Sequence, residues 1–279
     1  MELSIYEQIS YSTIRIECQN TDSRLCTGTG FFFNFLQDDI KNQNIPVIIT
    51  NKHVVNNAQS GTLIFTKKDA NGRPIDKEHF RIKLINYRDS WVYHPDRDVD
   101  LCALPIAAIL REAERKSEAL FYMAFDMSLL PDDEQLNQLS AMEDIIMIGY
   151  PNGLWDEINN KPIFRKGITA TNLLFDYNGK KEFVIDAACF PGSSGSPIMI
   201  INEGNYRDKK GNLYVGSSRV YLLGILYTGP QYTATGEIKV VKVPTADIPI
   251  SLSRIPNNLG YVIKSDRIRE LENLFRQNK

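Results

Sequence analysis

The 279-residue sequence has little that would tie it to a membrane, a nucleic acid or a metal. No apolar run approaches the roughly 18 residues a membrane span needs. Lysine and arginine number 32 against 34 acids, for a formal net charge of −2. They form no basic stripe, so neither nucleic acid nor a membrane surface is an expected partner. The N-terminus, MELSIYEQ, has no basic segment and no apolar segment of the export-signal kind, and the expected compartment is the cytoplasm. The four cysteines, Cys18, Cys26, Cys102 and Cys189, are not in C-x-x-C spacing, and no metal or other cofactor is expected. Cys18 and Cys26 can face each other across a hairpin, but with no export signal reduced thiols are expected. Histidine is scarcer still: any chemistry that needs an imidazole must use His53, His79 or His94. No segment repeats at a period of 20–50 residues.

What the chain has is short strands. Residues 12–18 alternate as a half-buried strand, and 27–35 form a strand opened by glycines. Residues 37–44 read as a polar loop and 46–50 as a buried β-branched run. Residues 62–65 and 80–85 read as strands either side of a turn at 69–72. After Pro105 the period changes. Ile106, Ile109, Leu110, Ala113, Leu120 and Phe121 fit one face of a helix, and 131–138 is a polar, acidic linker. Strands resume at 144–150, 166–174, 181–188, 196–201, 220–227, 237–243 and 259–263, with a surface hairpin at 202–216 and an irregular stretch at 245–258. Ser265 can cap a final helix with Ile268, Leu271, Leu274 and Phe275 inward. Two successive all-β halves predict two barrels or sandwiches. The expected boundaries are 1–105, a helical linker 106–142, 143–264, and a C-terminal helix 265–279.

One stretch carries chemistry. Residues 190–197 read FPGSSGSP between two apolar runs. Composition alone makes this a tight turn between strands. Chemically, Gly192 lets the backbone turn so that two amides aim at one spot, Ser194 sets a hydroxyl beside it, and Gly195 leaves room for a carbonyl. A nucleophile beside a preformed anion hole is what acyl transfer needs. That reading requires a base and an orienting acid elsewhere. His53 follows a buried strand directly, a place where core and cap histidines are also common. His79 lies in a charged, solvated stretch, and His94 in a loop with a structural role. Asp100 is the last acid before the apolar run 101–104, either a turn residue or a buried partner for an imidazole N–H. Asp98 competes from two residues further into the polar side.

His53, Asp100 and Ser194 follow one of three unrelated triad orders. The motifs TGTGF at 27–31, ITNKHVV at 49–55, DLCAL at 100–104 and GSSGSP at 192–197 occur in the same order. On these motifs the chain resembles the trypsin-like, chymotrypsin-fold serine proteases over nearly its whole length. It is most similar to the bacterial Deg-type and glutamyl-endopeptidase branches, through GYP at 149–151, GITA at 167–170 and GYVI at 260–263. The resemblance implies an all-β fold of two six-stranded antiparallel barrels with a linker helix and a C-terminal helix. It also implies a serine endopeptidase acting on protein or peptide substrates. Ser194 would be the nucleophile, His53 the general base, and Asp100 its orienting acid. The amides of Gly192 and Ser194 would form the oxyanion hole, and the strand with Gly224, Ile225, Leu226 and Tyr227 would pair with substrate. Ala188 would floor the specificity pocket, which suits a small or medium apolar side chain.

The departures are informative. Ser193 stands where trypsin-type zymogens carry an acid, and no N-terminal activation site is present. Leu226 stands where glutamyl endopeptidases carry histidine, which speaks against glutamate preference. Cys189, five residues before Ser194, is outside the nucleophile position. The alternative function is a catalytically silent or partner-gated protease fold used for binding. A regulatory protein partner is an accompanying expectation.

Overall fold

A computed structural model describes residues 3–20, 25–38, 40–41, 43–229 and 258–276, and the backbone of 231–235 and 252–256. The N-terminal half opens with helix α1 (Ile5–Ser10), closed at its start by a capping box between Ser4 and Glu7. Its strands are β1 (Thr13–Asn20), β2 (Leu25–Asp38), β3 (Gln43–Thr50), β4 (Ala58–Lys68), β5 (Pro74–Ile85), β6 (Val92–Tyr93), β7 (Cys102–Pro105) and β8 (Leu120–Phe121). Between them lie α2 (Lys52–Val55) and α3 (Ala107–Arg115). Helix α4 (Asp133–Gln138) leads to the C-terminal half: β9 (Asp144–Gly149), β10 (Ile163–Thr169), β11 (Glu182–Asp186), β12 (Pro197–Asn202), β13 (Asn205–Arg207), β14 (Leu213–Val215), β15 (Arg219–Thr228), β16 (Gln231–Thr235), β17 (Leu252–Pro256), β18 (Leu259–Lys264) and helix α5 (Asp266–Arg276). Among the described residues no helix is long and apolar enough to cross a membrane.

The C-terminal half is a closed six-stranded barrel, β10-β11-β18-β15-β12-β9. The N-terminal sheet runs β5-β4-β1-β2-β3-β7-β6, with β8 on the flank of β4. It therefore has eight strands rather than six, and its ladder stays open among the described residues. β8 is the reason for one difference from the sequence reading. Leu120 and Phe121 do not continue α3. They pair with Lys67 and Thr66 of β4, because α3 ends at Arg115 and Ser117 takes positive φ. The polar segment 131–138, read as part of the linker at 106–142, is mostly helix α4. Asp132 and Gln135 form a capping box that starts α4. The expected loop at 37–44 is shorter, with β2 running to Asp38 and β3 starting at Gln43. The strand expected at 166–174 begins earlier and ends at Thr169. The stretch expected to be irregular at 245–258 includes β17. The strand expected at 237–243 lies outside the described residues. Cys18 and Cys26 are cross-strand partners, and both thiols are free.

Strand β2 shows why the halves adhere. Phe31, Phe33 and Phe35 point to one core, and Phe32 to another. Alternation with both faces apolar places a strand between two packed layers. The first of those cores also takes Ile148, Met199, Ile225 and Ile263 from the barrel and Ile268, Leu271 and Phe275 from α5. One apolar cluster thus spans both halves, and α5 seals it.

Where the connection from α4 enters the barrel, Arg219 donates to Glu143 at 2.7 Å and to Asn202 Oδ1 at 2.9 Å. The Arg219 and Glu143 side chains are only 5% and 10% exposed. Removing one partner of such a pair leaves the other charge buried alone. Arg219→Met is expected to lower unfolding free energy in urea by about 3–5 kcal/mol. Adding Glu143→Leu to that variant should recover part of the loss.

Candidate active site

The loop before β12 is built from two successive turns. Ser193 N donates to Phe190 O at 3.0 Å, and Ser196 N donates to Ser193 O at 3.0 Å. Both turns use glycine where φ is positive, at Gly192 (84°) and Gly195 (86°). A Cβ on Gly195 would collide with the Thr29 carbonyl oxygen, and one on Gly192 would lie 2.6 Å from Tyr150 O. These two positions are closed to any side chain. Pro191 O accepts from Asn152 N at 2.5 Å. Because that peptide is trans, the Gly192 N–H points away from Asn152. Among the described residues, neither Gly192 N nor Ser194 N donates to any protein acceptor. These two half-buried amides flank Ser193, whose own N–H is taken by Phe190 O.

His53 lies in the short helix α2. The Asp100 carboxylate accepts from His53 N at 3.0 Å through Oδ1, and its Oδ2 lies 2.5 Å from His53 Nδ1. Buried Asn51 donates through Nδ2 to Asp100 O at 2.9 Å, which fixes the backbone that carries the acid. The carboxylate can only accept, so Nδ1 carries the proton and the Nε2 lone pair is free. Asp98 is exposed, its N donating to Asp96 Oδ1. His94 is buried under α5 with Nε2 3.5 Å from Glu270 Oε2, and burial pushes its pKa below the usual histidine value. His79 is half-buried, with Nε2 2.8 Å from Asp76 O.

Ser194 sits in the turn before β12, on the barrel side. Its hydroxyl donates to Tyr227 O at 3.2 Å, and no hydrogen bond joins it to His53. The two sides are tied through Thr29 of β2, a fully buried residue that the sequence offered only as part of a glycine-flanked strand. Thr29 N donates to Ser194 O at 2.9 Å and Thr29 Oγ1 donates to Gly192 O at 3.0 Å. Thr29 Oγ1 also accepts from Tyr150 N at 3.1 Å, and Thr29 O accepts from Thr50 Oγ1 at 2.6 Å. Thr50 is three residues from His53.

The expected substrate strand is narrower than its sequence suggests. Gly224, Ile225 and Leu226 are paired on both edges inside the barrel, with β12 or the turn before it on one side and β18 on the other. They have no free edge to offer a peptide. Tyr227 and Thr228 follow at a register shift; Thr228 stays opposite Tyr261 of β18, and among the described residues neither pairs with β12. Ala188 is half-buried, and its carbonyl is held by Arg165 Nη1 at 2.7 Å. Arg165 went unread in the sequence, where it is one of two adjacent cations in the strand-like run IFRKGIT. Burial pushes the Cys189 thiol up to about 11, against a smaller opposing pull from Arg165, so it is not a thiolate at neutral pH.

Residues 28–205 match the family described as a trypsin-like peptidase domain. No curated protein matches the sequence. Among solved structures, the HtrA-type protease AlgW with tripeptide matches with a TM-score of 0.51 at 14% identity, over 97% of this chain and 62% of that one. Catalytically active tobacco etch virus protease complexed with product matches with a TM-score of 0.50 at 12% identity, over 100% and 82%. The chain thus spans 62% of the AlgW chain's length. At these identities the likeness is one of fold.

Thr29→Val keeps the shape and removes the hydroxyl that Gly192 O and Tyr150 N share. It is expected to destabilise the fold by about 1–3 kcal/mol, the cost of stranding buried polar partners, and to slow labelling of Ser194 by a fluorophosphonate. Thr29→Ser should restore both, as read by thermal melting and labelling rate.

Proposed function

The chain belongs to the trypsin-like peptidase domain family, and we propose that it is a serine endopeptidase working through His53, Asp100 and Ser194. The observation that carries this reading is the imidazole of His53. Its Nδ1 is held 2.5 Å from the Asp100 carboxylate, which leaves Nε2 to serve as the base for Ser194. In the proposed reaction the Ser194 hydroxyl attacks the scissile carbonyl carbon as its proton passes to His53 Nε2. Asp100 stabilises the imidazolium. The carbonyl oxygen, now negative, is bound by the N–H groups of Gly192 and Ser194, each donor supplying roughly 2.7–4 kcal/mol. Collapse breaks the C–N bond, and the His53 proton goes to the leaving amine. Water then attacks the acyl ester by the same route in reverse.

An extended peptide would pair with the open end of β15 at Tyr227 and Thr228, adding a strand by backbone hydrogen bonds. A substrate N–H donated to Tyr227 O would compete with the Ser194 hydroxyl resting there. The hydroxyl would then turn toward His53. With Ala188 as floor, a small or medium apolar side chain is the proposed specificity.

A second reading is favoured by that same resting bond, since the serine is engaged with Tyr227 O instead of His53. In it the fold is silent until a partner protein reorders the site. The deciding measurement is fluorophosphonate labelling with cleavage of an unfolded protein. Under the first reading the isolated wild-type chain labels and cleaves, Ser194→Ala and His53→Ala do neither, and Asp100→Asn loses about 10⁴-fold in kcat. A well-folded wild type that neither labels nor cleaves would overturn the first reading in favour of the second.

A further inference from the structure

Beneath the nucleophile loop lies a cation that the triad does not use. Arg165, in β10, donates through Nη1 to Ala188 O and to Ser193 Oγ, both at 2.7 Å. These acceptors are the two ends of the segment that folds into the oxyanion turn. Ser193, itself buried, also accepts at Oγ from Phe190 N at 3.3 Å, so its hydroxyl gathers one donor from inside the loop and one from beneath it. The other guanidinium groups, Nε and Nη2, are buried without a partner. No carboxylate pairs with Arg165 among the described residues.

A buried cation with unpaired donors costs stability. Packing alone would be served as well by an apolar side chain. Among the described residues, both acceptors of the Arg165 side chain belong to the loop. Burial pushes its pKa down to about 10, so it remains charged at any pH near neutral. Ser193 and Ala188 offer it neutral acceptors, and hydrogen bonds from a charged donor to such groups are the stronger kind.

We infer that Arg165 is the positioning residue of the oxyanion loop, a built-in clasp across Ala188 and Ser193 that holds the Gly192 and Ser194 amides outward. This inference rests on the endopeptidase reading for its kinetic consequence, and on geometry alone for its structural one. With both ends held by an internal side chain, the turn is set on folding and awaits no charged group from outside.

The test uses Arg165→Met, Arg165→Lys and Ser193→Ala in the full chain, each checked for a cooperative melt. Hydrogen exchange across residues 188–195 is read first, because it does not depend on catalysis. The clasp predicts at least tenfold faster exchange there in Arg165→Met, with the barrel strands unchanged, and intermediate behaviour in Arg165→Lys and Ser193→Ala. Kinetics on a peptide substrate come next. Arg165→Met should lose about 10²–10³-fold in kcat, the scale of one oxyanion donor, while KM moves less than threefold. Affinity for a peptide boronic acid should fall in step with kcat, and Arg165→Lys should recover part of both. Unchanged loop exchange in a folded Arg165→Met overturns the clasp whatever the wild type does as an enzyme. So does unchanged kcat with unchanged boronate affinity. A wild type that fails to cleave, with loop exchange that still depends on Arg165, refutes the endopeptidase reading and leaves the clasp standing. Should Arg165→Met not fold, Ser193→Ala carries the same exchange and kinetic comparison.

Discussion

Four hydrogen bonds of Thr29 set the distance between the two sides of the site. His53 and Asp100 come from the N-terminal sheet, and Ser194 from a turn on the barrel. The surfaces that join these halves are phenylalanine, isoleucine, leucine and methionine side chains packed in one cluster. Such contacts are strong in sum and weak in direction, because dispersion and the hydrophobic effect reward area rather than register. Hydrogen bonds are directional and weaken steeply once misaligned. Thr29 reaches the Ser194 carbonyl with its amide and the Gly192 carbonyl with its hydroxyl, while Thr50 ties it to the strand that delivers His53. The apolar core brings the halves together, and this buried threonine decides where they stop.

The loop at 188–196 has most of its carbonyls held by groups outside it. Its carbonyls at Ala188, Pro191, Gly192 and Ser194 are occupied by Arg165, Asn152, Thr29 Oγ1 and Thr29 N respectively. The amides of Ser193, Gly195 and Ser196 are used as well, by Phe190 O, Leu226 O and Ser193 O. The amides of Gly192 and Ser194 are not among the groups so used. Framework donors that take the Pro191, Gly192 and Ser194 carbonyls fix the directions of the peptides between them. A turn held only by its own residues would be free to flip a peptide.

How much of this could be read from the chain depends on whether a feature is local. The alternation at 12–18 and the glycine-rich turn at 190–197 carry their physics in adjacent residues, and their strands and turn stand where the pattern places them. The C-terminal helix could be read from its apolar spacing. α4 and β8 could not: the first rests on a two-residue capping box in a polar stretch, the second on a pairing with β4 fifty residues away in sequence. The open, eight-stranded N-terminal sheet depends on such short additions. Within the site, His53, Asp100 and Ser194 are chemically conspicuous residue types. Thr29 and Arg165 are not, since threonine in a strand and one arginine among alternating residues are ordinary. Their roles exist only once β2 and β10 are brought against the loop. The paired edges of Gly224, Ile225 and Leu226 are invisible for the same reason, as barrel closure by β12 and β18 is what consumes them.

The resting position of the Ser194 hydroxyl can be weighed against the loop as a source of gating. Its bond to Tyr227 O, at 3.2 Å, is longer than the usual 2.7–2.8 Å of a hydroxyl donor. A neutral hydrogen bond contributes about 1 kcal/mol net, and this one is at the weaker end. One kcal/mol biases a population about fivefold, far too little to hold an enzyme off. Rotation about one side-chain torsion is also fast, on the picosecond to nanosecond scale for an accessible side chain. The hydroxyl's orientation is therefore a soft variable that a bound peptide can reset. The loop is held by four occupied carbonyls, one of them charge-assisted, and reversing it would strand several polar groups at about 1–3 kcal/mol each. If activity in this protein is controlled at the site, the control has to act on the loop rather than on the serine rotamer.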